Sequence, residues 1–365
     1  MLNFTVGPVM STQETLDIAS QQTPYFRTAE FSDVMLQNEQ LMLRFLNAPI
    51  GSRCVFLTTS GTGAMESCVM NILDSSKDKA IVINGGSFGQ RFLDICNLHH
   101  IGTVEVSCDF GEAITLQQLE DADISGCTAL LVNMDETSSG VLSDVSMLAE
   151  FCKKNNLIFI IDAISSFLAD DIDMEKLGAA AIITGSQKAL AVQPGISIIA
   201  LNPVAIKRVE ENEEQCLYLS LKEALKNMER GQTPFTPAVS ILLQINDRLR
   251  QIDADGGVIE EKKKICSGTE YFRQQISESP FNFVVMDPKA RSNAVTALYS
   301  GPYDACKIFQ LLKDKYGIWI CPNGGKYKNT VFRVGHIGNI KLQDYDSLLL
   351  AMKEACKEID ETKNN

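Results

Sequence analysis

Five short stretches of this 365-residue chain carry residue types that do chemistry, and each follows a short apolar run. The first is Thr58-Thr59-Ser60-Gly61-Thr62-Gly63-Ala64. Its glycines let a ligand approach the backbone, the free N–H groups and dipole of a following helix attract a phosphate, and the Ser60 and Thr62 hydroxyls can add bonds. A plain strand-to-helix turn has the same composition, and the stretch matches neither the P-loop nor the G-x-G-x-x-G fingerprint, so no nucleotide is implied. In Asn84-Gly85-Gly86-Ser87-Phe88-Gly89-Gln90-Arg91 the ring of Phe88 can stack on a planar ligand or cover the edge of a core. Asn133-Met134-Asp135-Glu136-Thr137-Ser138-Ser139-Gly140 is dense in small polar groups. There Thr137 can donate to a phenolic oxygen, or the whole stretch can cap a helix. Asp162 ends the apolar run 157–161. A carboxylate at the dry mouth of a sheet needs a cationic partner, unless it is a helix N-cap. Lys188, in Gly185-Ser186-Gln187-Lys188-Ala189-Leu190, stands beside apolar residues. Desolvation there lowers the pKa of an amine and frees it to form an imine, whereas a lysine in water stays charged.

A lysine for an imine, a carboxylate for a protonated pyridine nitrogen, a phosphate cradle and a ring to stack are together the requirements of pyridoxal 5′-phosphate. No other common cofactor uses all four.

The elements that must hold these residues follow from the hydrophobic pattern. Seven apolar runs, at 55–57, 80–83, 104–106, 129–132, 157–161, 181–183 and 196–199, alternate with helical stretches. Several are apolar at every position, as strands covered on both faces must be, which predicts an α/β domain with a mostly parallel sheet. Ligands bind beyond the carboxyl ends of such strands, where the five stretches lie. Apolar spacing predicts helices over 143–154 and 205–229. A turn-rich segment, Asp253-Ala254-Asp255-Gly256-Gly257, precedes a long helix at about 258–278. Strands near 282–285, 295–299, 318–320 and 331–334, with a helix at 302–315, then make a smaller α+β unit.

A chain of this length suggests two domains. Hydrophobic residues are 45% and charged ones 22%, a composition that folds rather than one that stays disordered. With 33 basic and 46 acidic residues the formal charge is −13, which repels phosphate backbones and excludes a general nucleic-acid binder. The basic run Lys262-Lys263-Lys264 follows Glu260-Glu261 and reads as a solvated helix face. No secretory signal opens the chain and no apolar run reaches the ~18 residues of a membrane span, so the expected location is cytoplasmic, with no membrane partner. Eleven scattered cysteines without a C-x-x-C pair read as buried, reduced thiols, and three histidines are too few for a His-rich metal site.

These residues resemble the class V aminotransferases of fold type I, along nearly the whole chain. The likeness is carried by Asn3-Phe4-Thr5-Val6-Gly7-Pro8-Val9, the Ser-Gly-Thr turn at 60–62, the Gly-Ser-Phe-Gly-Gln-Arg turn at 86–91 and Glu136-Thr137-Ser138-Ser139-Gly140-Val141-Leu142. It continues, in the family's order, through Asp162-Ala163-Ile164-Ser165-Ser166, Gly185 to Leu190, Thr233-Pro234-Phe235-Thr236-Pro237-Ala238 and Phe332-Arg333-Val334-Gly335-His336-Ile337-Gly338. The resemblance implies a mostly parallel seven-stranded sheet with helices on both faces in a large domain, 15–252, and a small α+β domain built from 1–14 and 253–365. It implies that Lys188 is the imine lysine, Asp162 pairs with the pyridinium and Phe88 stacks on the ring. Ser60, Gly61, Thr62 and Gln187 hold the phosphate, joined by Thr236 and Thr233 of a partner subunit, so the implied assembly is a homodimer with shared active sites. Arg333 clamps the substrate carboxylate. Relatives often carry histidine before the arginine of the N-terminal loop, where this chain has Phe26-Arg27.

The activity implied is ping-pong transfer of an amino group from a small amino acid, of the alanine or serine type, to glyoxylate or pyruvate, since Arg333 accounts for one carboxylate and no second cation is obvious. Transfer between 2-aminoethylphosphonate and pyruvate is the alternative, with Arg27 meeting the phosphonate unless it pairs with Glu30. A lyase of the cysteine desulfurase kind is another, but such enzymes stack a histidine and carry a mobile nucleophilic cysteine, where this chain has Phe88 and, after a strand, Cys321. A mere binding protein on this fold needs no imine, so Lys188, Asp162 and Arg333 together favour an enzyme.

Overall fold

The structure is a computed structural model that describes residues 1–364. Its centre is a seven-stranded sheet whose spatial order is Arg53–Leu57, Ser197–Leu201, Ala181–Gly185, Ile158–Asp162, Ala129–Asn133, Lys79–Asn84 and Gly102–Ser107. Ser197–Leu201 runs antiparallel to both neighbours, and the remaining pairs are parallel. Ala129–Asn133, Ala181–Gly185 and Ser197–Leu201 are buried at every position, while Gly102–Ser107, at the edge, is largely open. Unbroken apolar sequence is what such doubly covered strands require. Helix Gly61–Ile72 packs on Ala181–Gly185 and Ser197–Leu201, Ser87–Leu98 on the three strands at the other end, and Val145–Asn155 on Ile158–Asp162.

The second sheet has five strands in the order Leu2–Phe4, Ile318–Pro322, Val331–Gly335, Val295–Tyr299 and Asn282–Phe283. Leu2–Phe4 lies parallel to Ile318–Pro322, which carries the start of the chain to its far end; the other pairs are antiparallel. Phe4, Phe272, Leu298, Ile308, Ile320 and Phe332 form a core of their own beneath helices Gly257–Ile276, Ala305–Tyr316 and Leu342–Asn364.

Two expectations change. The stretch 205–229 is not one helix but two, Pro203–Glu211 and Leu221–Met228. Asn212 ends the first by donating to the carbonyls of Asn71 and Ile72, both at 3.1 Å, and Ser220 caps the second, so polar side chains bend the chain where apolar spacing alone continued. The cysteines are all unpaired, but Cys108, Cys127, Cys216, Cys266, Cys306 and Cys321 are only half-buried. Among the described residues, no helix is long and apolar enough to cross a membrane.

Candidate active site

At the carboxyl ends of the large sheet lies a cavity of about 180 Å³, lined by Ser60, Gly61, Thr62, Phe88, Thr137, Asp162, Gln187 and Lys188 among others. They lie at or beyond the carboxyl ends of five strands, so the sheet gathers residues that lie up to 128 positions apart in the chain, from 60 to 188.

Lys188 sits in the turn after Ala181–Gly185 and is buried. Its loop is tied down: the Ser186 hydroxyl donates to the Gln193 carbonyl at 2.7 Å, and the Ala191 N–H to the Lys188 carbonyl at 2.8 Å. Nζ donates to the carbonyl of Val6, brought over it by the strand Leu2–Phe4. Gly7 is required there, since its φ is +120° and a Cβ would come within 2.8 Å of the Lys188 side chain. Burial lowers the pKa of the amine; Asp135 and Asp162, and then Cys321, oppose that shift, and Arg333 adds to it.

Asp162 is no helix N-cap. Its two oxygens accept from the Ile164 N–H, at 2.8 Å, and from the Asn133 amide. Burial lifts its carboxyl to about 6, against the pull of the Ile164 N–H, Lys188 and Asn133. Nor does the stretch 133–140 cap the helix that follows. It forms a hairpin, Asp135–Glu136 against Val141–Leu142, and Asp144 caps helix Val145–Asn155.

Ser60 stands at the N-terminus of helix Gly61–Ile72, and its side chain makes no capping bond. A Cβ on Gly61 would lie 2.3 Å from Ile164, so only glycine brings the helix start this close to the cavity floor. Phe88, half-buried, opens helix Ser87–Leu98 and lines the cavity. Pyridoxal 5′-phosphate fits what is present: free N–H groups and hydroxyls for its phosphate, a flat ring for stacking, a held carboxylate for its ring nitrogen and an uncharged-leaning amine for its aldehyde.

Sequence reasoning assigned no part to Arg91, Glu136 or Asp135. Arg91 lines the cavity, donates to the Thr62 hydroxyl at 3.1 Å and lies 4.7 Å over the Phe88 ring, adding a cation to the phosphate side. Glu136 accepts from the N–H groups of Phe88 and Gly89 at 3.0 and 3.2 Å. The Gly-Ser-Phe-Gly-Gln-Arg turn held Arg91 in view, and no sequence signal reveals which hairpin reaches a distant helix end.

Arg333, on Val331–Gly335, is outside the lining but close enough for its charge to bear on Lys188. It donates to the carbonyls of Thr137 and Pro322, both at 2.9 Å, while its buried Nε has no partner. Thr233, Thr236 and Arg27 lie elsewhere. Thr233 donates to the Phe235 carbonyl at 2.8 Å, and Thr236 is exposed in a surface groove with Tyr218 and Phe235. Arg27 makes no pair with Glu30; it donates to Gln232 and to the carbonyls of Thr233 and Pro234 at 2.8–3.2 Å.

A doubly wound, mostly parallel sheet with a buried lysine and a buried aspartate on neighbouring strand ends, backed by a smaller sheet carrying an arginine, is the arrangement of a fold type I enzyme. The aminotransferase class-V family model matches residues 18–327, and the chain belongs to that family as a pyridoxal-phosphate-dependent aminotransferase. A Helicobacter pylori protein known only as an uncharacterized aminotransferase is 27% identical over 99% of this chain and 95% of its own. The serine–glyoxylate aminotransferase of Arabidopsis thaliana is 24% identical over 92% of this chain and 85% of its own. The crystal structure of a subgroup IV aspartate aminotransferase from Thermus thermophilus superposes with a TM-score of 0.89, at 25% identity, covering 98% of this chain and 100% of that one.

Proposed function

We propose that this aminotransferase takes its amino group from a small amino acid with one carboxylate, of the alanine or serine type, and passes it to glyoxylate or pyruvate. The observation that carries the reading is Arg333. Its guanidinium is anchored by two carbonyls, its buried Nε lacks a partner, and its charge reaches Lys188. A planar donor so placed suits one carboxylate. Of the other cations, Arg91 is engaged with Thr62 and Arg27 with backbone carbonyls, which leaves nothing to meet the phosphonate of 2-aminoethylphosphonate.

When bound, the cofactor supplies a carbonyl that links to amines and a cationic ring that takes up electron density. Ser60, Gly61, Thr62 and Gln187, with Arg91, hold its phosphate, Phe88 covers its ring and Thr137 donates to its phenolic oxygen. Asp162 keeps a proton on the ring nitrogen, and its own hydrogen bonds from Ile164 and Asn133 keep it ionised for that task. Lys188 would carry the cofactor at Nζ and, as a free amine, would be the base that moves the α-proton, a role for which burial has already weakened its hold on its own proton. Two oxo acids and two amines pass through one site in turn, so ping-pong kinetics follow.

We place the enzyme in the cytoplasm as a homodimer in which Thr233 and Thr236 complete the partner's phosphate site. Support for the first is the set of unpaired cysteines, which suits a reducing compartment. Support for the second is the exposed Thr236 beside two exposed aromatics. A cysteine desulfurase-like lyase remains the second reading because the Cys321 sulfur is close enough to Lys188 to bear on its ionisation. That thiol, however, is fixed in a strand opposite Arg333 and not on a loop free to swing.

The test is borohydride reduction of the cofactor-loaded enzyme, with the modified peptide read by mass spectrometry and the donor half-reactions read by absorbance. Reduction fixes the cofactor to Lys188, Lys188→Ala takes up no reducible cofactor and loses turnover by at least about 10⁴-fold, and alanine or serine bleaches the wild-type visible band. Sulfide release from cysteine, with no half-reaction of alanine or serine, would install the lyase instead.

A further inference from the structure

Asp135 and Asp162 line the Lys188 cavity, and two more buried carboxylates, Glu136 and Asp170, are near enough for their charge to bear on Asp135; three of the four are satisfied. Asp162 receives Ile164 and Asn133. Glu136 receives the N–H groups of Phe88, Gly89 and Ser138. Asp170 receives the Asn293 N–H and amide at 3.2 and 2.8 Å, with the Ser292 hydroxyl at 3.4 Å. Asp135 is different. It lines the cavity, its residue is 5% exposed, and neither carboxylate oxygen has a hydrogen-bond partner. Burial pushes its carboxyl well above the ordinary carboxylate range, Asp170 adding to that and Ser292 and Lys188 opposing it, so the group leans toward its neutral form. Its backbone is locked in the Asp135–Leu142 pair of the hairpin, so it cannot swing away to water.

A buried acceptor without a donor is costly, and such groups are retained where a ligand supplies the missing hydrogen. The cofactor's own donor, its ring N–H, goes to Asp162. A substrate with its amine at Lys188 and its carboxylate at Arg333 has only its side chain left to offer. We propose that Asp135 is a specificity residue: it makes a hydrogen bond with a polar group on the substrate side chain, a hydroxyl, amide or ammonium one or two bonds from the α-carbon. This rests on the aminotransferase reading above and divides the donors it allows, placing hydroxyl-bearing amino acids ahead of alanine.

The test uses two ligands that bind at the reacting carbon but, lacking an α-hydrogen, cannot be turned over: 2-methylserine and 2-aminoisobutyrate. Dissociation constants come from titrating the visible absorbance of the holoenzyme. The wild type binds 2-methylserine about tenfold more tightly than 2-aminoisobutyrate, the worth of one hydrogen bond to a buried group. In Asp135→Ala that ratio falls to about one, and in Asp135→Asn, which keeps the shape and an acceptor, most of it survives. Cofactor content and thermal melting establish that each variant is folded, and should the alanine variant fail to fold, Asp135→Leu, which fills the space without an acceptor, takes its place. A wild-type ratio near one, or a ratio that the folded alanine or leucine variant leaves unchanged, overturns the proposal. The expected order of binding without any half-reaction of serine or alanine overturns the donor assignment instead and upholds the role of Asp135.

Discussion

Asp162 and Lys188 are each driven toward the neutral form by burial, and each partly restrains the shift of the other. In the cofactor-free protein this has a definite sign. A carboxyl whose native pKa lies above its unfolded value binds more protons folded than unfolded. Asp162 and Asp170, both lifted to about 6, therefore add stability as pH falls from above 6 toward their ordinary value and withdraw it as pH rises. A cationic ring reverses the demand, because it needs Asp162 ionised. Cofactor affinity should then weaken below pH 6 by up to about tenfold per pH unit, as a proton must leave Asp162 on binding. Fluorescence titration of the apoenzyme at a series of pH values measures this. Asp162→Asn should bind more weakly throughout and lose the slope; a variant that keeps the slope would assign the titration to another group. The two residues were legible in the sequence because Asp162 directly follows an apolar run and Lys188 stands in the short turn beyond another. Asp135 was equally visible as a letter, but its lack of a partner is a property of the folded surroundings.

At the scale of elements, the seven runs read from apolar sequence correspond to seven strands, since a strand buried on both faces writes its burial into every residue. What the pattern did not hold was any contact between elements distant in the chain. Helix Ser87–Leu98 begins at Gly86, which offers no side chain to cap it. The cap comes from Glu136 on the hairpin, through the Phe88 and Gly89 N–H groups. One carboxylate thus holds a helix end and, through it, the ring proposed to cover the cofactor. Glu136→Ala should cost about 2 kcal/mol of stability by urea unfolding, because two donors, one of them buried, lose a carboxylate acceptor, and should speed cofactor loss. Glu136→Gln should recover part of both. If the alanine variant lost cofactor no faster than the wild type while losing stability, Glu136 would be structural and Phe88 would need another support.

At the scale of the molecule, the segment 232–237 poses the question of assembly. It is held rigidly by its own chain: Arg27 donates to its carbonyls, and the Gln232 amide donates to the Phe26 carbonyl at 3.1 Å and the Ser32 hydroxyl at 2.7 Å. Yet its tip faces outward, with Phe235 stacked on Tyr218 at 5.6 Å and both rings exposed. A fixed segment presenting aromatic rings and a free threonine hydroxyl suits a meeting with another surface, and in the proposed two-fold dimer that surface is the partner's cavity. Subunit mixing tests this directly. Lys188→Ala should be inactive, and the double variant Thr233→Ala, Thr236→Ala should bind cofactor at least about tenfold more weakly, having lost the Thr236 bond to a charged phosphate and the Thr233 bond to the Phe235 carbonyl that steadies the segment. Unfolded together and refolded at equal concentrations under limiting cofactor, half of the random dimers are mixed. Each mixed dimer holds one site with its lysine from one chain and its threonines from the other. Activity should return to about a quarter of the wild-type value, although neither parent has it. Mixed dimers that form, as counted by mass spectrometry, without restoring turnover would confine each site to a single chain, and a species that sediments as a monomer while fully active would do so more simply.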